Sequence, residues 1–429
     1  LLILFIQIQF EIQAQYSWQL LTNSPSNGQK QDDVFFLNPD LGWSVNGSGR
    51  IFKTTNGGQN WVSVLNKPGT YFRCIGFVDS LIGFAGNIGP NYFPGVTDTN
   101  PLYKTNDGGH SWEIVNTING PAPTGLCAIQ IIDSVNIVAA GRVGSPVHLL
   151  KSTDKGQTWT SQNMNSHCAM ILDIHFTSAD TGLIFCGSNA NVQFSNAKVI
   201  RTTNGGVTFE TVYQSARPFE LCWKASFPSK NTGYFTLLSY APNTTQRYIA
   251  KTTDGGQNWF ELPLANNGNK AFGIGFLNDS VGWVGTDMGG HQTTNGGQSW
   301  TNRNIGQFVN KIRILKEGVG YAIGLRIFKM SPTTTEDHNS ESAEKMPFIA
   351  FPNPNSGELN LQAYFSKAGP VAIDIVDTQG RLKNQLFKGV GKAGTQIFNL
   401  KPDPTQRNII FLKISSVDGI STLPINMRP

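Results

Sequence analysis

One octapeptide, repeated six times, limits what this chain can fold into more than any other feature. It stands at 54–61, 105–112, 152–159, 202–209, 252–259 and 293–300 and reads Ser/Thr-x-Asp/Asn-x-Gly-x-x-Trp/Phe. A basic residue precedes five copies (Lys53, Lys104, Lys151, Arg201, Lys251), and Gln292 precedes the sixth. Each fixed position has a task in a tight hairpin. The Asp or Asn (Asn56, Asp107, Asp154, Asn204, Asp254, Asn295) can accept hydrogen bonds from N–H groups of its own turn. The Gly (Gly58, Gly109, Gly156, Gly206, Gly256, Gly297) supplies a positive φ where a Cβ would clash. The aromatic (Trp61, Trp112, Trp159, Phe209, Trp259, Trp300) opens the next strand and is expected to bury its ring against a neighbouring element.

A second repeat runs in step with the first. Upstream of each octapeptide a strand ends in an apolar anchor, and six residues later comes Gly plus a large apolar residue. The pairs are Phe36/Gly42-Trp43, Phe77/Gly83-Phe84, Phe176/Gly182-Leu183, Phe227/Gly233-Tyr234 and Phe276/Gly282-Trp283. Ile131/Ile137 keeps the spacing without the Gly, and Ile314/Gly320-Tyr321 follows the last octapeptide. Another apolar residue precedes each anchor by two, from Val34 to Ile312, which is a strand period. Each unit therefore reads strand A, short turn, strand B, strand C, octapeptide turn, strand D. The octapeptide aromatics are spaced 51, 47, 50, 50 and 41 residues apart. Four strands at that period predict the blade of a β-propeller.

Seven A–B pairs stand against six octapeptides. The seventh unit runs through strand C at Ile327-Phe328-Lys329 and leaves into Ser331-Pro332 with no strand D. The stretch Tyr16-Ser17-Trp18-Gln19-Leu20-Leu21 opens like a post-turn strand and can supply it from the other end of the chain. The expectation is an all-β, seven-bladed propeller over 16–331, its last blade closed by the N-terminal strand and its sheet edge thereby removed.

The flanking segments differ from the repeats. Residues 1–12 are an apolar run broken by Gln7, Gln9 and Glu11, followed by Gln13-Ala14-Gln15. That run is too short to span a bilayer, and 1–15 reads as a secretory signal peptide whose start is missing. Residues 332–346 are polar, acidic and aperiodic, the character of a linker. From 347 to 429, alternating runs at 358–362, 371–376 and 409–414 are divided by Asn-Ser-Gly, Thr-Gln-Gly and Asp-Gly turns, as in a small antiparallel β-sandwich. A net charge of +5 without a Lys/Arg cluster gives no basis for nucleic-acid binding.

The octapeptide resembles the Asp-box (BNR) repeat. The fuller unit, Gly-Trp-Ser-Val followed by Ile-Phe-Lys-Thr-Thr-Asn-Gly-Gly-Gln-Asn-Trp, is most similar to the propeller family of photosystem II assembly and stability factors. That resemblance implies the fold and leaves the task open, since one propeller serves unrelated functions. The C-terminal stretch resembles the type A sorting domain of the type IX secretion system, through Phe351-Pro352-Asn353-Pro354-Asn355-Ser356-Gly357-Glu358-Leu359, Asp377-Thr378-Gln379-Gly380-Arg381 and Phe411-Leu412-Lys413-Ile414. Arg407-Asn408-Ile409-Ile410 departs from the usual last strand, and an extra Pro429 follows the terminal Arg428. The resemblance implies export to the cell surface or beyond, with residues 347–429 meeting the secretion machinery.

Residues for chemistry are sparse. The five cysteines, Cys74, Cys127, Cys168, Cys186 and Cys222, show neither a disulfide framework nor metal spacing and read as buried thiols. A cation needs six to eight converging oxygens, whereas each octapeptide offers one carboxylate or an amide, so these turns read as structural. Neither a cofactor nor a metal is expected. A sialidase would need an arginine cluster and its Arg-Ile-Pro signature, which Arg73-Cys74-Ile75 does not match; a xyloglucanase-like enzyme would need two carboxylates across a cleft. The leading expectation is a non-catalytic binding or scaffolding module, with a surface glycoside hydrolase as the alternative. Two sets of residues could form a binding site. Arg73, Asp173, His175, Lys224, Lys311 and Arg313 fall on the A strands that would line the axis, either as a ligand site or as a wall of internal ion pairs. The B–C loops at 87–101, 187–198 and 239–247 carry Tyr92, Phe93, Phe194 and Tyr240 on the face opposite the octapeptide turns, where long loops on a rigid frame commonly bind.

Overall fold

The computed structural model describes residues 16–25, 30–315, 318–332, 348–351, 359–365, 367–377, 381–402, 408–417 and 419–427. The expected signal peptide 1–15, linker residues 333–346, and positions 352–358 and 378–380 of the sorting-domain resemblance lie outside them, as do Arg407, Arg428 and Pro429. Contacts divide the chain into two units, Leu1–Thr333 and Thr334–Pro429.

The described part of the first unit forms seven sheets, six antiparallel throughout and the third with one added parallel strand. In the first, Gln31–Phe36, Gly42–Asn46, Arg50–Thr54 and Val62–Asn66 pair in chain order as strands A to D. The A strands of the next six are Phe72–Phe77, Ala128–Ile131, Met170–Phe176, Glu220–Ser226, Ala271–Phe276 and Lys311–Ile314. Each A strand lies against the next, and the seventh lies against the first, so the series closes on itself. Tyr16–Leu20 completes the seventh sheet by pairing antiparallel with Ile327–Pro332, Trp18 opposite Met330.

The paired sequence repeats have direct causes. Phe36 and Gly42 are cross-strand partners, as are Phe77 and Gly83, Phe176 and Gly182, and Phe276 and Gly282. The anchor ring occupies the space where the glycine's Cβ would be, only 2.3 Å from a ring atom at Gly182 and 2.4 Å at Gly83 and Gly282. Where the anchor is the smaller Ile131, its partner is Ile137 and no glycine is needed. The third sheet departs from expectation: a fifth strand, Ile118–Asn119, runs parallel to Trp159–Asn163. It covers Trp159, which is 1% exposed. The expectation of six buried octapeptide rings is corrected here, because Trp61, Trp112, Phe209, Trp259 and Trp300 have no such cover and are only half-buried.

The second unit contains a three-stranded sheet of Phe348–Phe351, Leu359–Phe365 and Gly394–Leu400, and a four-stranded sheet of Leu382–Gly391, Gly369–Val376, Asn408–Ser416 and Gly419–Met427. Alternate residues of both, including Leu359, Leu361 and Phe365 with Val371, Ile373 and Ile414, share one apolar cluster. Among the described residues there is no α-helix, and no helix long and apolar enough to cross a membrane.

Candidate binding site

The octapeptide turns hold the frame. In all six, the Ser/Thr hydroxyl accepts the N–H of the turn glycine at 2.8–3.0 Å. The Asp or Asn Oδ1 accepts the N–H just before the aromatic at 2.9–3.0 Å. The turn glycines have φ between 73° and 90°. These oxygens turn inward on their own backbone, and among the described residues no cluster of His, Cys, Asp or Glu is arranged to hold a metal ion. Hydrogen bonds from the Ser111 and Thr158 hydroxyls hold Asp107 well below the usual carboxylate range and bring Asp154 down to about 2. Burial alone would raise Asp254, but bonds from Asn258 and Thr252 bring it to about 2.

The basic residue ahead of the octapeptide is also structural. Lys251 Nζ sits 5.2 Å from the centre of the Tyr234 ring and donates to the Gly296 carbonyl of the next turn at 3.2 Å. Lys53 lies over Trp43, Lys104 over Phe84, and Lys329 over Tyr321 in the same way. Lys151 Nζ donates to Ala179 and Gly205 carbonyls at 3.0 and 2.9 Å. The recurrence was visible in the sequence; the carbonyl partners, one sheet further on, were not.

Most of the axial residues tie A strands together. Asp33 accepts from the Ile75 N–H and Asp173 from the Ala225 N–H, each at 3.0 Å, in both cases from the next A strand. Lys224 Nζ donates to the Leu172 carbonyl at 2.9 Å and lies 3.8 Å from Asp173. Lys311 spans Asp33 and Asp173 at 3.7 and 3.9 Å, and Arg313 donates to the Val34 carbonyl at 2.9 Å while covering Phe35. His175 stacks on Phe227, centroids 3.8 Å apart, and burial lowers its pKa to about 4 despite the opposing pull of Asp173. All five cysteines are buried free thiols.

Arg73 differs. At 4% exposure it pairs through Nη1 with Asp32, lies 4.9 Å over the Trp223 ring, and leaves Nε buried without a partner. It lines a cavity of about 130 Å³ at the B–C/D–A end of the ring. Tyr71, Leu221 and Trp223 come to it from the starts of A strands, and Tyr92, Phe93 and Tyr240 from the long B–C loops. Lys30 and Val143 complete the wall. Phe93 packs on both Tyr71 and Tyr92 at 4.8 and 4.7 Å, and Lys270 lies 4.7 Å over Tyr240. Arg73, Tyr92, Phe93 and Tyr240 are thus brought together, while Asp173, His175, Lys224, Lys311 and Arg313 do not line the cavity. Phe194 is separate, on a 3-10 turn at Val192–Phe194 and 66% exposed. Sequence reasoning missed Lys30, Asp32, Tyr71 and Trp223, whose positions at strand starts give no local signal. A larger, open depression of about 490 Å³ on the second unit is apolar, with Lys388 as its one charged residue.

No family model matches the sequence. The chain is 24% identical over 221 residues to xyloglucanase Xgh74A of Acetivibrio thermocellus, a match covering 45% of this chain and a quarter (25%) of that enzyme's length. Among solved structures, YCF48 bound to D1 peptide is similar with a TM-score of 0.53 at 16% identity, covering 74% of this chain and 97% of that one. YCF48 from Cyanidioschyzon merolae gives 0.55 at 12% identity over 74% and 98%. An ancestral GH74 enzyme gives 0.53 at 12% over 95% and 63%, and the WD40 propeller domain of Doa1 gives 0.54 at 9% over 75% and 98%. At these identities the likeness speaks for architecture alone: the chain is an all-β protein with a β-propeller fold.

Proposed function

We propose that this chain is an exported, non-catalytic binding or scaffolding module, a seven-bladed propeller braced by Asp-box turns, whose B–C/D–A face receives a protein or glycan partner. The observation that carries this reading is the convergence of three loop aromatics and the buried Arg73 on one cavity at that face. The closed series of seven sheets and the pairing of Tyr16–Leu20 with the last of them support the blade count and the closure. The sequence resemblance of 347–429, and two sheets there sharing one core, favour a sorting β-sandwich addressed to type IX secretion machinery, with 1–15 as signal peptide. Surface or extracellular placement belongs to the same proposal. The similarity to YCF48 bound to D1 peptide favours a peptide as the partner class.

Trimming the loops at 87–101, 187–198 and 239–247 to short turns tests the site. Peptide and glycan arrays probed with the full chain should show ligands that the trimmed protein, melting at an unchanged temperature, no longer retains. Undiminished retention by the trimmed protein overturns the reading. The 24% match to a xyloglucanase favours the second reading, a glycoside hydrolase. Release of reducing sugar from xyloglucan, or of sialic acid from sialosides, would replace the first reading with the second.

A further inference from the structure

We propose that the cavity at the mouth of the ring takes a carboxylate carried on one residue of a peptide, with Lys30 and Arg73 receiving its charge and Tyr71, Tyr92 and Tyr240 walling its carbon body. This rests on the B–C/D–A face being the binding face and specifies what that face accepts.

Charge is the first argument. Lys30 Nζ, at 3.3 Å, and Arg73 Nη1 both meet the same oxygen of Asp32, so two cations share one carboxylate. One positive charge is left over at the cavity wall. The axial groups behind it do not cancel this excess, because the three cations Lys224, Lys311 and Arg313 are set against two carboxylates, Asp33 and Asp173. An anion entering the cavity is attracted, and a cation repelled.

The donors are the second argument. The Arg73 guanidinium is held by Asp32 and by the Trp223 face, so its charge stays fixed at the cavity wall. Lys30 is 27% exposed at the entrance, where its ammonium can reach a second oxygen. A planar carboxylate matches one fixed and one mobile donor.

Size and lining are the third. At ~30 Å³ per water, a cavity of about 130 Å³ displaces only a few waters and accommodates a side-chain-sized group. Tyr92 and Tyr240, 44% and 40% exposed, stand at the rim, with Lys270 over one face of Tyr240. A glycan would present several rings and many hydroxyls, which this small cavity with few donors does not serve.

A peptide carboxylate can come from the chain terminus or from an acidic side chain. Three N-acetylated, unlabelled peptides distinguish them by isothermal titration calorimetry with the full-length chain: Ala-Ala-Ala-Ala-Leu as free acid, the same peptide as C-terminal amide, and Ala-Ala-Glu-Ala-Ala as C-terminal amide. Tri-galacturonate serves as the glycan probe. Binding of the first peptide points to a terminus and of the third to a side chain, and either supports the proposal if the neutral amide fails to bind. Lys30→Gln, at the surface end of the cavity, should weaken that binding about tenfold. Equal binding of the neutral amide, binding of tri-galacturonate alone, or failure of every probe overturns it. Peptide binding that is lost on loop trimming but unchanged by Lys30→Gln overturns the carboxylate proposal and leaves the binding face standing.

Discussion

The Tyr321 ring, in the last sheet, lies flat on the Phe36 ring of the first, centroids 3.7 Å apart and planes within 8°. The join between the two ends of the series is therefore made like the joins inside it. Trp43 stacks on Phe77 at 3.5 Å and Tyr234 on Phe276 at 3.6 Å. In each case the large residue after the B-strand glycine meets the A-strand anchor of the next sheet. The Tyr321 hydroxyl shares its one proton between the Gly57 and Pro39 carbonyls at 3.1 and 3.2 Å. Trp43 Nε1 reaches the Gly108 carbonyl in the equivalent way. One device of stacked ring and polar tip thus serves these three seams.

Closure by Tyr16–Leu20 should be required for stability. Without 16–22, Ile327–Pro332 becomes a bare sheet edge able to pair with other chains. The deletion variant should melt lower and scatter light on heating; an unchanged melting temperature refutes the assignment. Trp18 packs edge-on against Trp283 at 5.6 Å but is only half-buried. Full burial would put Trp18→Ala at about 3–5 kcal/mol. With half the ring in solvent we expect about 2 kcal/mol, measured by denaturant unfolding.

The glycine facing each aromatic anchor should not tolerate a methyl group. A Cβ on Gly233 would lie 2.3 Å from the Phe227 ring, which is itself held by His175 and Trp259. Gly233→Ala should therefore cost about 1–3 kcal/mol through overpacking. Pairing it with Phe227→Leu should recover part of the loss, in imitation of the Ile131/Ile137 pair. If the double variant is no more stable than Gly233→Ala alone, the steric explanation fails.

What could be read in the sequence was local. The octapeptide bonds close within eight residues, and the anchor–glycine contact crosses one short turn, so both appear as fixed spacings. The N-terminal strand was legible only by subtraction, as the partner that the seventh unit lacked. The fifth strand at Ile118–Asn119 was not, because its pairing with Trp159–Asn163 spans 40 residues and has no repeat. Asp32 and Asp33 look like an ordinary exposed acidic pair, yet one partners Arg73 and the other the Ile75 backbone on the neighbouring strand. Phe194 and Tyr92 were alike as loop aromatics; only the course of each loop places Tyr92 on the cavity and Phe194 in solvent.

Acid should destabilise the protein in two separable windows. His175 has a folded pKa of about 4 against an ordinary value of 6.5. The unfolded chain then binds more protons between these values, so stability is lost as pH falls from about 6.5 to 4. His148 and His291, also lowered by burial, add to the same window. Below it, Asp154 and Asp254, at about 2, and Asp107, lower still, remain ionised in the fold after their unfolded counterparts protonate near 4. Their contribution is complete above that value and disappears as pH falls toward 2. Asn56, Asn204 and Asn295 make the same backbone bond without titrating, so Asp154→Asn with Asp254→Asn should fold normally. Melting temperature followed from pH 7 to pH 2 checks both windows. His175→Phe, which keeps the stack on Phe227, should reduce the slope of the upper window only, and the double Asn variant that of the lower only. Slopes identical to wild type in both variants would show that these groups do not govern the acid response.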